Sequence, residues 1–292
     1  MAAETLMFGI GATKAGTSWL YRYLASHPDC AMPAMKELHY FDTADPRKQA
    51  WQVKQFTRKA ADLKARRAFA PAAKHENLDA RIKVLEEAIA LLSGDRTGHR
   101  AYLAYLSAAG TGARLLGDVT PSYGLLPEGD LRMMAGLAPQ TRFIYILRDP
   151  LDRLWSNIRM VAGRKAKDEG DVEAIARDLL DKALTGADQQ VIMRSDYAGT
   201  LARLEAAVPP ENRLVLFFEQ LFSAETVARI CAFLGIGAHP AELDRRVHAG
   251  RSLAMEKDQA ERARMALRGQ YEAVAGRFES LPPRWLENYA RI

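Results

Sequence analysis

The sequence predicts an α/β fold: a central parallel sheet flanked by helices. Three observations predict it. Short apolar runs alternate with longer segments of helical periodicity. One run, FIYIL at residues 143–147, is apolar on both faces, as a strand covered by helices must be. A glycine-bearing turn stands between the first apolar run and the first helical pattern. The 292 residues, 48% hydrophobic and 26% charged, exclude disordered, collagen-like and disulfide-scaffold classes. No repeat, low-complexity tract or Pro/Gly-rich linker divides the chain, so residues 1–292 read as one domain.

Residues 6–10 form the first expected strand. Trp19, Leu20, Tyr23 and Leu24 then fall at helical spacing, and His27-Pro28 ends that helix. Residues 30–32 read as a short strand. The alanine-rich stretch 46–109 has little strand character and is expected to be a helical insertion over one end of the sheet. Residues 115–119 and 143–147 are further strands, the second adjacent to the first strand of the chain. Asp149 can cap the next helix and Pro150 suits its first turn. A last strand at 214–218 precedes a helix over 224–234 that stops at Gly235.

The 41 Lys and Arg against 36 Asp and Glu give a net charge of +5, which fits an anionic small ligand better than a nucleic acid. Residues 54–74 concentrate Lys54, Arg58, Lys59, Lys64, Arg66, Arg67 and Lys74 against a single acid, Asp62. Two readings stand for that stretch: a solvated helix face, or a wall that attracts an acidic acceptor. Residues 164–173 pass from basic to acidic, as a surface loop leading into a helix would. No window reaches the ~18 apolar residues of a spanning helix. The first residues lack the basic, then apolar pattern of a secretory signal, so a cytoplasmic chain is expected. Cys30 and Cys231 have no metal-ligand spacing and read as reduced, buried thiols.

Residues 9–20 read GIGATKAGTSWL, between the first strand and the first helix. Glycines let backbone approach a ligand, and free N–H groups at a helix start bind anions. Compared with the nucleotide-triphosphate loop GxxxxGK[ST], Gly11 and Gly16 keep the spacing, but Thr17 stands in the lysine position and Lys14 is displaced into the loop. The strand at 143–147 ends in Arg148 rather than in an acid that could hold magnesium. The loop is therefore suited to phosphate-type anions neutralised by protein cations. Ser156 lies two turns into the helix that Asp149 and Pro150 open.

Together these elements resemble the sulfotransferases that use 3′-phosphoadenosine-5′-phosphosulfate (PAPS). TKAGTSWL looks like the family's 5′-phosphosulfate-binding segment, and Arg148-Asp149-Pro150 with Ser156 looks like its 3′-phosphate-binding segment. KELHYFD, residues 36–42, resembles the KExxxFD segment of the heparan-sulfate type and its bacterial relatives. GDVTPSY, residues 117–123, resembles their [ED]x[ST]PxY segment, and AGRS, residues 249–252, their late KGR[ST] loop. The resemblance implies a P-loop-containing nucleotide-binding fold, PAPS as donor with 3′,5′-ADP as product, an unidentified hydroxyl or amine acceptor, and no metal. It implies a cofactor set of Thr13, Lys14, Ala15, Gly16, Thr17, Ser18, Arg148, Ser156, Gly250, Arg251 and Ser252. Trp19 stands where the cytosolic branch stacks a tryptophan on adenine, and it also reads as a core-facing residue. Val119 and Ala249 replace family lysines, which argues against a highly sulfated polysaccharide acceptor.

Sulfuryl transfer resembles phosphoryl transfer in being mainly positioning and electrostatic stabilisation. Lys14 suits the bridging oxygen that gains charge as the sulfuryl group leaves, and arginine suits the 3′-phosphate. By the resemblance Glu37 is the general base. His39 orients the acceptor or the base, or takes the proton itself. The plainer reading of this segment is a Lys36–Glu37 ion pair, with His39 packed against Phe41. Two other classes compete: a P-loop kinase of a small molecule, and a non-catalytic module that binds 3′,5′-ADP.

Overall fold

The computed structural model describes residues 5–243 and 253–292. Five parallel strands form one sheet: β1 (Thr5–Gly11), β2 (Cys30–Ala31), β3 (Leu115–Val119), β4 (Thr141–Leu147) and β5 (Arg213–Phe217). Their spatial order is β2-β3-β1-β4-β5. The expected strands are present, with ends shifted by one or two residues. The adjacency expected of β1 and β4 holds, with Phe8 opposite Phe143 and Gly11 opposite Tyr145. Every residue of β1 is buried, and so are six of the seven in β4. Phe8 anchors this centre, with ring centroids 5.3 Å from Phe143 and 5.7 Å from Phe41.

Parallel strands present all their carboxyl ends at one edge, where ligands of open α/β sheets sit. β1 runs into the loop that opens α1 (Thr17–Ser26). The insertion is helical as expected, comprising α2 (Pro46–Ala68), α3 (His75–Ser93) and α4 (Arg100–Ser107). The Asp45 carboxylate caps α2 by accepting from the N–H groups of Arg47 and Lys48, each at 3.0 Å. After β3 comes α5 (Glu128–Ala135), and after β4 comes α6 (Pro150–Lys165). Asp149 caps α6 through the Asp152 N–H at 2.9 Å. The chain continues through α7 (Asp171–Leu184), α8 (Gln189–Ile192), α9 (Tyr197–Ala207), α10 (Ala224–Leu234), α11 (Lys257–Ala275) and α12 (Pro283–Tyr289). Among the described residues no helix is long and apolar enough to cross a membrane.

Both cysteines are free, Cys231 buried and Cys30 only half-buried. Burial first, then the neighbouring Asp29 and Cys231, pushes the Cys30 thiol up to about 12.

Two glycines with left-handed backbone serve different ends. Gly235 closes α10 at φ 67°, with open space where a Cβ would stand. Gly16 opens α1 at φ 89°, where a Cβ would lie 2.6 Å from Leu221 Cδ2 and 3.1 Å from Phe218 Cδ2. Gly235→Ala is expected to cost about 1 kcal/mol, the left-handed penalty alone. Gly16→Ala adds overpacking and is expected to cost roughly 2–4 kcal/mol in all. Urea unfolding of both variants measures the difference, and equal losses would remove the steric argument.

Candidate active site

The loop between β1 and α1 is built to leave donors free. Gly16 caps α1 with no side-chain hydrogen bond. The first-turn N–H groups at Thr17 and Ser18 precede any carbonyl of their own helix that could accept them. They point with the helix dipole toward the sheet edge, which suits an anion. Ala15 and Thr17 are buried, while Thr13, Lys14, Gly16 and Ser18 are half-buried.

Arg148, at the end of β4, reaches this loop. Its Nη1 donates to the Lys14 carbonyl at 3.0 Å, and its guanidinium lies over the Phe218 ring at 4.5 Å. Its buried Nε has no hydrogen-bond partner. Burial first, then the fields of Arg148, Arg164 and Arg159, lowers the pKa of Lys14. Glu37 acts there in the opposite direction. Ser156 is half-buried in α6, on the helix that begins beside Arg148. The orphaned Nε and the crowded cations fit a ligand with several negative charges.

The acids nearby do not neutralise these cations. Asp149 is fully buried and accepts from the Tyr271 hydroxyl at 2.8 Å; burial raises its pKa to about 6. Glu219 accepts from the Asp149 N–H at 2.8 Å and the Trp285 indole at 3.1 Å, and burial raises it too. On β3, beside the loop, stands an acid that sequence reasoning passed over by considering only the end of β4. Asp118 is 1% exposed and accepts hydroxyl bonds from Tyr102 at 2.9 Å, Tyr123 at 2.8 Å and Thr120 at 2.8 Å. That network occupies the carboxylate with protein donors instead of presenting it to a metal.

Glu37 and His39 lie on the segment between β2 and α2, tied to the sheet by the Glu37 N–H bond to the Val119 carbonyl at 3.3 Å. Val119, where the resemblance leads one to expect a lysine, is itself buried, and its methyls would lie 3.0 Å from a Cβ at Gly9. Lys36 Nζ pairs with Glu37 Oε1 at 2.5 Å, so the expected ion pair is present. His39 does not pack on Phe41. The Phe41 ring meets His99 instead, and His39 Nδ1 faces Asp42 Oδ2 at 2.8 Å and Ser122 Oγ at 3.2 Å. Its Nε2 lies 4.0 Å from Glu37 Oε2.

These contacts set opposite shifts. Burial opposes the charge on Glu37, but Lys36, His39 and Arg194 outweigh it and hold the carboxyl below its usual range. Burial likewise opposes a charged His39, but Asp42 and then Glu37 and Asp118 prevail and raise its pKa.

Among the described residues four non-glycine residues have positive φ, and three of them are Lys14 (72°), Glu37 (64°) and His39 (56°). Such backbone costs of order 1 kcal/mol or more per residue and persists only where surroundings over-determine it. Arg96 of the insertion does much of that. Its Nη1 donates to the carbonyls of Tyr40 and Thr43, each at 3.0 Å, and its guanidinium stacks on Tyr40 at 4.5 Å.

Sequence reasoning missed Arg194 as well as Arg96. Arg194 donates to the Thr13 hydroxyl at 3.0 Å, and its field reaches Glu37. Its segment is held from below by Arg153, fully buried in α6, whose Nη2 donates to the Val191 carbonyl at 3.0 Å and to Ser195 Oγ at 2.6 Å. Nothing local marks either residue: each is one arginine among many, and only the fold selects it.

Trp19 is 4% exposed, stacks on Tyr23 at 5.7 Å and donates its indole N–H to the Glu242 carbonyl at 3.0 Å. These contacts correspond to the core-facing reading of that residue. Gly250, Arg251 and Ser252, with Ala249, lie outside the described residues.

Tyr123 joins the buried network to the active segment, because its hydroxyl also accepts from the Tyr40 N–H at 3.1 Å. Tyr123→Phe leaves that N–H and one lone pair of Asp118 unmatched. The expected cost is about 1–3 kcal/mol in urea unfolding. An unchanged midpoint would show that the network does not hold the segment.

Comparison with known proteins bears on the fold and the family. Among curated proteins none matches the sequence. The structure is similar to that of a sulfotransferase from Alicyclobacillus acidocaldarius, at 21% identity and a TM-score of 0.63, covering 96% of this chain and 98% of that one. A weaker likeness, with a TM-score of 0.47 and 16% identity, is to the sulfotransferase domain of the curacin biosynthetic pathway, covering 82% of this chain and 76% of that one. The family model described as "Sulfotransferase family" matches residues 7–240, and that match displaces the kinase reading: the chain belongs to the sulfotransferase family.

Proposed function

We propose that this sulfotransferase takes PAPS as donor and transfers the sulfuryl group to a hydroxyl or amine of its acceptor, with Glu37 as general base. The observation that carries the reading is the convergence on Lys14, in the phosphate-type loop, of the fields of Arg148, Arg164 and Arg159, with Arg148 bonded to the loop itself. PAPS supplies the sulfuryl group on an activated phosphate. Arg148 and Ser156 are assigned to its 3′-phosphate, and the α1 start with Lys14 to its phosphosulfate. Gly250, Arg251 and Ser252 complete the proposed set by family resemblance alone. The cysteine chemistry goes with the cytoplasmic location proposed for the chain.

Glu37 accepts the acceptor's proton as the new O–S bond forms. Lys14 balances the charge that develops on the departing phosphate oxygen as the old S–O bond breaks. Arg194, between Thr13 and Glu37, is placed to steady charge at the same end of the loop. His39, bonded to Asp42 through Nδ1 and with Nε2 near Glu37, is assigned to orienting Glu37. The non-catalytic alternative draws on Val119 and Ala249 standing where the resemblance expects lysines, and tight 3′,5′-ADP binding without any sulfuryl transfer would favour it.

Titration calorimetry with 3′,5′-ADP and 5′-ADP tests the donor. The first is expected to bind far better, and Arg148→Ala to cost roughly ten- to hundredfold of that affinity. Equal affinities would remove PAPS from the reading. Assay with labelled PAPS and a cell extract tests the base, since Glu37→Gln should lower turnover by ~10²–10⁴-fold with little change in 3′,5′-ADP binding. The pH profile separates the two candidate bases. A base must be deprotonated to act, so rate rises with pH through its pKa. With Glu37 held below its usual ~4.3, the acidic limb lies below that value and turnover is flat through neutrality. A limb above ~6.5, abolished in His39→Asn, would assign the proton to His39 instead.

A further inference from the structure

Helix α2 holds eight Lys and Arg against one acid, Asp62, within 23 residues. Its net charge of +7 exceeds the +5 of the whole chain, so the remainder of the protein is net acidic. Gln52, Phe56, Ala60 and Leu63 turn inward to the core. Two of the cations are engaged by α3: Lys64 with Glu86 at 2.6 Å, and Arg67 with Asp79. The outward stripe is different. Arg47, Trp51, Lys54 and Arg58 follow at i, i+4, i+7 and i+11, all exposed, and the stripe reaches Phe69 at the end of the helix.

Two side chains on this face stand out. Trp51 is 61% exposed and Phe69 is 92% exposed, and they are the exposed large aromatics among the described residues. The other exposed large hydrophobics are three methionines and Leu286, each on a different part of the chain. Water penalises bare aromatic surface, and neither ring packs on the core. A polyanion without rings of its own would be matched by the cations alone and would have no use for the aromatics, and a net charge of only +5 speaks against a nucleic acid whose bases would stack on them. A bilayer surface uses both, since anionic headgroups attract Lys and Arg while aromatic rings settle at the headgroup level. At 1.5 Å per residue the helix presents this combination along roughly 34 Å.

We propose that the outer face of α2 is a docking surface for an anionic lipid bilayer, with the cations on the headgroups and Trp51 and Phe69 as interfacial anchors. The inference is independent of the sulfuryl donor. It rests on charge complementarity and on two exposed rings sharing one basic face. Because α2 begins just after Asp42, the docked helix would also bring the Glu37 segment toward the membrane surface.

The protein carries its own reporter. Of its four tryptophans, Trp19, Trp155 and Trp285 are 4%, 8% and 0% exposed, so a polarity change at the surface is read by Trp51. The intact chain is titrated with phosphatidylcholine vesicles containing about one-third phosphatidylglycerol, and with pure phosphatidylcholine vesicles, following emission and co-sedimentation. Anionic vesicles are expected to bind the protein and shift its emission to the blue; neutral ones should do neither. The double variant Lys54→Glu/Arg58→Glu should lower partitioning by at least about tenfold, given about fivefold per cation lost. Phe69→Ala, which keeps the reporter, should weaken binding severalfold. Unchanged circular dichroism confirms that the exposed substitutions leave the fold intact. Equal binding to both vesicle types would overturn the proposal. So would binding that responds to the charge variant but neither shifts the emission nor weakens in Phe69→Ala, because the rings would then take no part and the face would be a purely electrostatic one.

Discussion

The bond from the Arg148 guanidinium to the Lys14 carbonyl is the constraint on which the site depends. It exists because β1 and β4 are parallel neighbours, so the loop after one strand and the residue ending the other share an edge. It fixes two cations of the site against each other despite their repulsion. The cations stay available to a ligand because the acids close by accept hydrogen bonds from other groups. Asp118 accepts three hydroxyls, Asp149 a hydroxyl and a helix N–H, and Glu219 a backbone N–H and an indole. Asp118 and Asp149 are buried and Glu219 half-buried, and desolvation raises the pKa of each. Had any of them faced the loop, the cations would have been paired and the anion site closed.

The second feature is stored backbone strain. Lys14, Glu37 and His39 adopt left-handed conformations that ordinary side chains avoid. Each sits where the surroundings leave little choice: Lys14 beneath Arg148, Glu37 bonded through its N–H to β3, and His39 between Asp42, Ser122 and Glu37. Strain of this kind is tolerated where the reward is a precise placement of functional atoms. Glu37 and His39 consequently share a field that lowers the pKa of the carboxyl and raises that of the imidazole.

The helical insertion contributes to both features. From its far end Arg96 returns to clamp the carbonyls of Tyr40 and Thr43, so residues distant in sequence stiffen the segment that carries the proposed base. Its first helix, α2, carries eight Lys and Arg against one acid, which places a strongly basic face beside the active segment.

By itself the sequence determined the strands, the insertion, the glycine-bearing loop, Arg148 at a strand end and the KELHYFD and GDVTPSY segments. These are local properties: a buried parallel strand must be continuously apolar, a helix must repeat at 3.6 residues, and an anion-binding turn needs glycine beside a helix start. The tertiary structure decided the partners. It replaced Phe41 with Asp42 and Ser122 beside His39, brought Arg96 and Arg194 to the site from distant segments, and withdrew Asp118 into a cage of hydroxyls. None of these follows from spacing along the chain. A side-chain partner is chosen by which backbones the sheet order and helix packing bring within a few ångströms, and that order is a property of the whole core rather than of any one segment.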